Sequence, residues 1–125
     1  MCYIDGMWLF TKFGFFSVVE SDANTLTVRS RSVGDLESLI DHHGSVLCLT
    51  KSNIKSSPLS DYRYRVFVPK EKWSVTLSQI ASDIDYKSFK DKVFDDMDAP
   101  RADSYHDVWE VMYNLQRSEE KKKEA

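Results

Sequence analysis

Four arginines stand in two short runs of strand-forming residues, Thr27-Val28-Arg29-Ser30-Arg31 and Tyr62-Arg63-Tyr64-Arg65-Val66. In each run the arginines are two residues apart. A strand sends alternate side chains to opposite faces, so Arg29 and Arg31 share a face, as do Arg63 and Arg65. A guanidinium is a planar fork that matches phosphate or carboxylate. If both runs enter one sheet, the arginines form a cationic patch suited to an anion. Lys12 is expected to join that face, and a nearby tyrosine or phenylalanine to stack a base. The competing expectation is a solvated face, paired with acidic side chains across strands or on the acidic helices.

Other chemistry finds less to work with. Adjacent helical residues point about 100° apart, so His42 and His43 are poorly placed to share a metal ion. There is no His-x-x-x-His or Cys-x-x-Cys spacing, no glycine-rich phosphate loop and no Gly-x-Ser-x-Gly elbow. No metal site and no cofactor are expected. His106 beside Asp107 is a candidate acid or base, or a plain surface side chain. Cys48 is expected on a strand as a small core residue. A small hydrolase or transferase using His106 or Cys48 is the enzymatic alternative.

The elements that must position the arginines follow from periodicity. Trp8 to Val19 reads as one long strand, apolar on both faces, in which Gly14 marks a bulge or a close backbone approach. Ser21-Asp22-Ala23-Asn24 is a turn by composition, and Thr25 to Ser30 is its partner strand. Ser32 and Asp35 have capping-box spacing before a helix carrying Leu36, Leu39 and Ile40 on its buried stripe. Gly44 is expected to close that helix in the left-handed conformation. Val46 to Thr50 reads as a third strand, Lys51 to Asp61 as a loop, and Tyr62 to Val68 as a fourth strand. Pro69 suits the start of a helix with Trp73, Leu77, Ile80 and Ile84 about one turn apart. Asp85 is expected to cap a further helix, broken at Asp98-Ala99-Pro100. Ser104 and Asp107 are expected to cap the last one.

Composition bounds the class. A chain of 125 residues is expected to form one domain over residues 1–117, with a charged, flexible tail over 118–125. The net charge of −3 argues against a whole-protein electrostatic grip on DNA. The charge is uneven, with −5 over residues 83–110. Cys2 and Cys48 are the only cysteines, too few for a disulfide framework. No apolar run reaches membrane-spanning length, and the first residues lack the cationic start of a signal peptide. A cytoplasmic protein without membrane association is expected.

Met7-Trp8-Leu9-Phe10-Thr11-Lys12-Phe13-Gly14-Phe15-Phe16-Ser17-Val18-Val19, Asp85-Tyr86-Lys87-Ser88-Phe89-Lys90 and Tyr105-His106-Asp107-Val108-Trp109-Glu110-Val111-Met112-Tyr113-Asn114-Leu115-Gln116 carry a resemblance. In that order they resemble a family of small bacterial and bacteriophage proteins of unknown function. The resemblance runs from Met7 to about Arg117 and implies a single cytoplasmic domain, but supplies no catalytic residues. Phe13-Gly14-Phe15-Phe16 also resembles the middle of the aromatic strand motif of RNA-recognition motifs. The pattern departs from that motif at Thr11, Lys12 and Val18, and it begins the domain instead of following a helix.

The expected fold is α+β: a four-stranded, mainly antiparallel sheet with three or four helices. The order is strand-strand-helix twice and then helices, as a ferredoxin-like or related two-layer sandwich. The expected function is non-enzymatic binding of a nucleotide or short single-stranded nucleic acid through Arg29, Arg31, Arg63, Arg65 and Lys12. The alternative is a protein-interaction module, such as a phage or mobile-element inhibitor of a host system. An aromatic sheet face would also suit a homodimer.

Overall fold

The computed structural model describes residues 6–124, so Cys2 lies outside the described residues. The chain divides into two compact units with the boundary between Asp85 and Tyr86. The first holds a five-stranded antiparallel sheet of β1 (Gly6–Thr11), β2 (Gly14–Asp22), β3 (Thr25–Ser30), β4 (Lys55–Ser56) and β5 (Tyr64–Pro69). Their order across the sheet is β1-β2-β3-β5-β4. Helices α1 (Val33–Leu47) and α2 (Lys70–Ser82) pack on one face of it. The second unit holds α3 (Phe89–Asp96) and α4 (Ala99–Glu124). Among the described residues, no helix is long and apolar enough to cross a membrane.

The α+β class holds, while several elements differ from the sequence expectation. The long strand over Trp8–Val19 is a hairpin that reverses at Lys12 and Phe13. The Thr11 hydroxyl accepts from the amides of Phe13 and Gly14 at 3.1 and 3.2 Å and donates to the Gly14 carbonyl at 2.9 Å. This side chain closes the turn without an Asn-Gly or Asp-Gly signal. The reversal puts Trp8 and Phe10 on the opposite face of the sheet from Phe16 and Val18. Leu9 pairs with Phe16 and Met7 with Val18 on the helix side, while Trp8 pairs with Ser17 and Phe10 with Phe15 on the other. Three consecutive strands thus open the domain. The expected ferredoxin-like order, with a helix after the first strand, is not formed.

The third strand expected over Val46–Thr50 is also absent. α1 runs past Gly44 to Leu47, and Cys48 takes the left-handed conformation with φ 56°. Gly44 is needed inside the helix: a Cβ there would lie 2.9 Å from the Leu49 carbonyl oxygen. Cys48 is exposed, not a core residue, with its sulfur 2.8 Å from Lys72 Nζ. A 3-10 turn over Lys51–Asn53 leads into the short β4.

Later helix starts shift as well. The cap expected at Asp85 is Ser88 instead, whose hydroxyl accepts from the Asp91 amide at the start of α3. Asp98-Ala99-Pro100 begins a helix, with Asp98 accepting from the Arg101 amide at 3.0 Å. Pro100 fits because a first-turn residue needs no amide partner. Ser104 lies inside α4, where its hydroxyl donates to the Pro100 carbonyl. Helical backbone continues through 118–124, where a flexible tail was expected.

The core joins Phe16, Val18, Val28, Val66 and Val68 of the sheet to Leu36, Leu39, Ile40 and Leu47 of α1 and Trp73 of α2. The hairpin is fixed to α1 at a second place. Phe13 is buried, 4.5 Å from the His42 ring and 5.4 Å from the His43 ring. Asp35 does not form the expected capping box; its buried carboxylate accepts from the Phe15 amide at 3.0 Å. Gly14 has φ 152°, and a Cβ there would lie 2.3 Å from Asp35 Cγ. Gly14→Ala is therefore expected to lower stability by about 2 kcal/mol or more, read as a shifted urea midpoint. Gly34→Ala, where the nearest atom is Ser32 Oγ at 3.5 Å, is the control and leaves the midpoint unchanged or raised. Equal midpoints for wild type and Gly14→Ala would contradict this role.

Candidate functional site

The sheet register builds the site. Trp8, Ser17, Arg29, Arg65 and Lys55 stand directly opposite one another in turn across β1, β2, β3, β5 and β4. Opposed residues share a face, and this row lies on the face away from α1 and α2. Arg29 and Arg65 are thus a cross-strand pair of like charges. Such a pair is unfavourable by a few tenths to about 1 kcal/mol unless something compensates.

Their partners are neutral. Arg29 donates from Nη2 to the Ser17 hydroxyl at 2.8 Å. Arg65 donates from Nη2 to the Ser60 hydroxyl at 2.8 Å and the Tyr62 carbonyl at 3.1 Å. Among the described residues, neither forms an ion pair with a carboxylate. The Nε atoms of both arginines are buried and, among the described residues, lack a hydrogen-bond partner. A buried donor left unsatisfied is costly, more so on a charged group.

Tyr62 organises the cluster. The segment before β5 folds over the open face and buries this side chain to 5% exposure. Arg29 and Arg31 both stack on its ring, with Cζ 4.6 and 4.2 Å from the centroid. The ring's negative face offsets part of the cationic repulsion. Phe15 lies 6.4 Å from Tyr62, and it packs on Phe10 at 4.5 Å and edge-on to Trp8 at 5.8 Å. A shallow concavity of about 310 Å³ opens beside Arg29, lined by Gly6, Met7, Trp8, Ser17 and Val19.

The sequence-predicted residues separate here. Arg29 and Arg65 come together. Arg31 joins them through Tyr62, but it is committed to Asp61, bonding its carboxylate at 3.2 Å and its carbonyl at 3.0 Å. The Asp61 hydrogen bond raises this guanidinium above its ordinary pKa, against a smaller opposing effect of desolvation. Arg63 is exposed, with Cζ 5.8 Å from the Tyr64 ring. Lys12 sits in the hairpin turn, with Nζ 5.4 Å from the Phe13 ring. Neither shows a contact with the Arg29–Arg65 pair among the described residues. Ser17, Ser60 and Tyr62 were missed from sequence, because a hydroxyl or ring signals nothing until its strand partner is known.

His106 stacks on Trp109 at 5.5 Å on the exposed side of α4. His43 is buried, with Nδ1 3.3 Å from the Gln79 side-chain oxygen. No cluster of three metal-ligating side chains occurs among the described residues. Comparison with family models, with curated proteins and with solved structures finds no match.

An opposed, unneutralised arginine pair should be stabilised by a multivalent anion, because ligand binding to the folded state raises its stability. Millimolar pyrophosphate is expected to raise the melting temperature above that in chloride at equal ionic strength. The Arg29→Met/Arg65→Met double variant should lose the difference. An equal rise in both proteins would contradict the site.

Proposed function

We propose that the protein is a non-enzymatic binding protein that takes an anionic ligand on the Arg29–Arg65 face. The ligand class is a nucleotide or a short single-stranded nucleic acid. The observation that carries this reading is the cross-strand arginine pair whose hydrogen-bond partners, among the described residues, are neutral oxygens. A phosphate bridging the two guanidiniums would supply the missing counter-charge. Arg31 adds positive potential, with its fork already engaged by Asp61. Arg63 and Lys12 take secondary places in the proposal, as outlying charges that steer the ligand. We further place the protein in the cytoplasm and among the small bacterial and bacteriophage proteins that its three stretches resemble. A second copy seated on the sheet face would compete with the ligand.

Native mass spectrometry tests the reading on protein purified from a bacterial expression strain and incubated with a nucleotide mixture. A bound nucleotide or oligonucleotide mass is expected on the wild type and not on Arg29→Met/Arg65→Met. Retention of the same mass by the double variant would place the ligand elsewhere.

A second reading has its own observation. On α4, Val108, Trp109, Val111, Met112 and Leu115 are all exposed. Apolar side chains in such a run mark surfaces that bind other proteins. This favours a protein-interaction module, the inhibitor of a host system among its forms. Met112→Asp should then abolish capture of a specific partner that Arg29→Met still captures; retention by Met112→Asp would remove this reading.

A further inference from the structure

The open face carries more than charge. Trp8, on the edge strand β1, is 69% exposed, and its ring is held edge-on by Phe15 beside the concavity that Arg29 also lines. Phe67 is 47% exposed and lies two residues from Arg65 on β5. Alternation puts Phe67 on the same face as Arg65. It stands opposite Thr27, which stands opposite Val19. Trp8 therefore lies two strands from Arg29 on the same face, and Phe67 lies beside Arg65 on its own strand.

The spacing decides what spans them. β1 and β5 are three strand steps apart in the sheet, or roughly 14 Å at the usual interstrand distance. One nucleotide can stack on one ring and set its phosphate on the nearer arginine. It cannot also cover the second ring. Paired bases inside a duplex have no free faces to offer, whereas a single strand can splay its bases onto aromatic platforms. The net charge of −3 also provides no broad field for a duplex backbone.

We infer that the ligand is a single strand of nucleic acid, with one base on Trp8, another on Phe67 and the intervening phosphates on Arg29 and Arg65. This rests on the anion-binding reading above and narrows it to a polymer. The arginines hold the backbone without reading sequence, and the rings accept any base, so weak sequence preference follows.

The test is fluorescence anisotropy with a labelled oligothymidylate of about 12 nucleotides, a length within the usual site sizes of such surfaces. Thymidine monophosphate, inorganic polyphosphate and pyrophosphate serve as unlabelled competitors. The oligonucleotide should bind at least ~10-fold more tightly than the monophosphate. Trp8→Ala and Phe67→Ala should each weaken binding by about tenfold without changing its salt dependence. Arg29→Met should weaken binding and reduce the slope of log K against log salt by about 0.7. Both rings lie outside the buried core, and circular dichroism checks that the variants fold. If the monophosphate competes as well as the oligonucleotide, or the ring variants bind like wild type, the polymer inference falls and the anion site stands. If polyphosphate displaces as effectively as DNA, the rings take no part and the inference falls likewise. If neither oligonucleotide, monophosphate nor pyrophosphate binds, both readings fall.

Discussion

The seating of the β1–β2 turn on the first turn of α1 determines what the sheet presents on each side. Gly14 comes so close to Asp35 that no side chain fits there, and the Asp35 carboxylate holds the Phe15 amide. Phe13 enters the protein beside His42 and His43. With the turn anchored in this way, a register slip by one residue would pull a buried phenylalanine out of its contacts and press a carboxylate against a Cβ. The side-chain period of a strand is two, so the same slip would exchange the two faces of β2. Phe16 and Val18 would leave the core, and Ser17 would no longer stand beneath Arg29.

That phase has an electrostatic consequence. Two cationic side chains meet across β3 and β5 on a face without a packed helix of the first unit, and their direct partners are hydroxyl and carbonyl oxygens. Neutral hydrogen bonds orient the guanidiniums but leave their charge in place. Tyr62 offsets part of the repulsion through its ring, on which Arg29 and Arg31 both lie. The arrangement is not an ion-pair network among the described residues. By contrast, Arg31 has its own carboxylate in Asp61, and the ion pairs Lys51–Asp41 and Lys70–Glu20 lie on the exposed surface. Exposed pairs of that kind contribute little to stability.

Much of this was legible in the sequence where the local pattern had a single interpretation. The α+β class, the strand over Thr25–Ser30, the stripe of Leu36, Leu39 and Ile40, and the close approach at Gly14 all follow from periodicity or from the needs of glycine. The hairpin at Lys12-Phe13 did not, because its turn is closed by a threonine hydroxyl and both flanks are apolar. An unbroken apolar run has the same appearance whether it continues or reverses. Val46–Thr50 read as a strand because it is a short, mostly apolar run that follows a glycine, but tertiary packing keeps Gly44 inside the helix and moves the left-handed position to Cys48. Asp35 had the spacing of a capping residue, and a contact distant in sequence took its carboxylate instead. The arginine phase was legible from alternation alone. Which arginines meet was not, since that depends on the β3–β5 register and on how the segment before β5 folds back.

The central claim is that Arg29 and Arg65 receive one anion together. Nuclear magnetic resonance of the arginine Nε–H signals addresses this directly, because each signal reports charge placed against its own guanidinium. During titration with pyrophosphate, the Arg29 and Arg65 signals should shift downfield along one common binding curve. Arg117, whose guanidinium bonds Tyr113 in the helical unit, should not move. Unmoved signals at Arg29 and Arg65, or two curves with unrelated midpoints, would contradict a shared site.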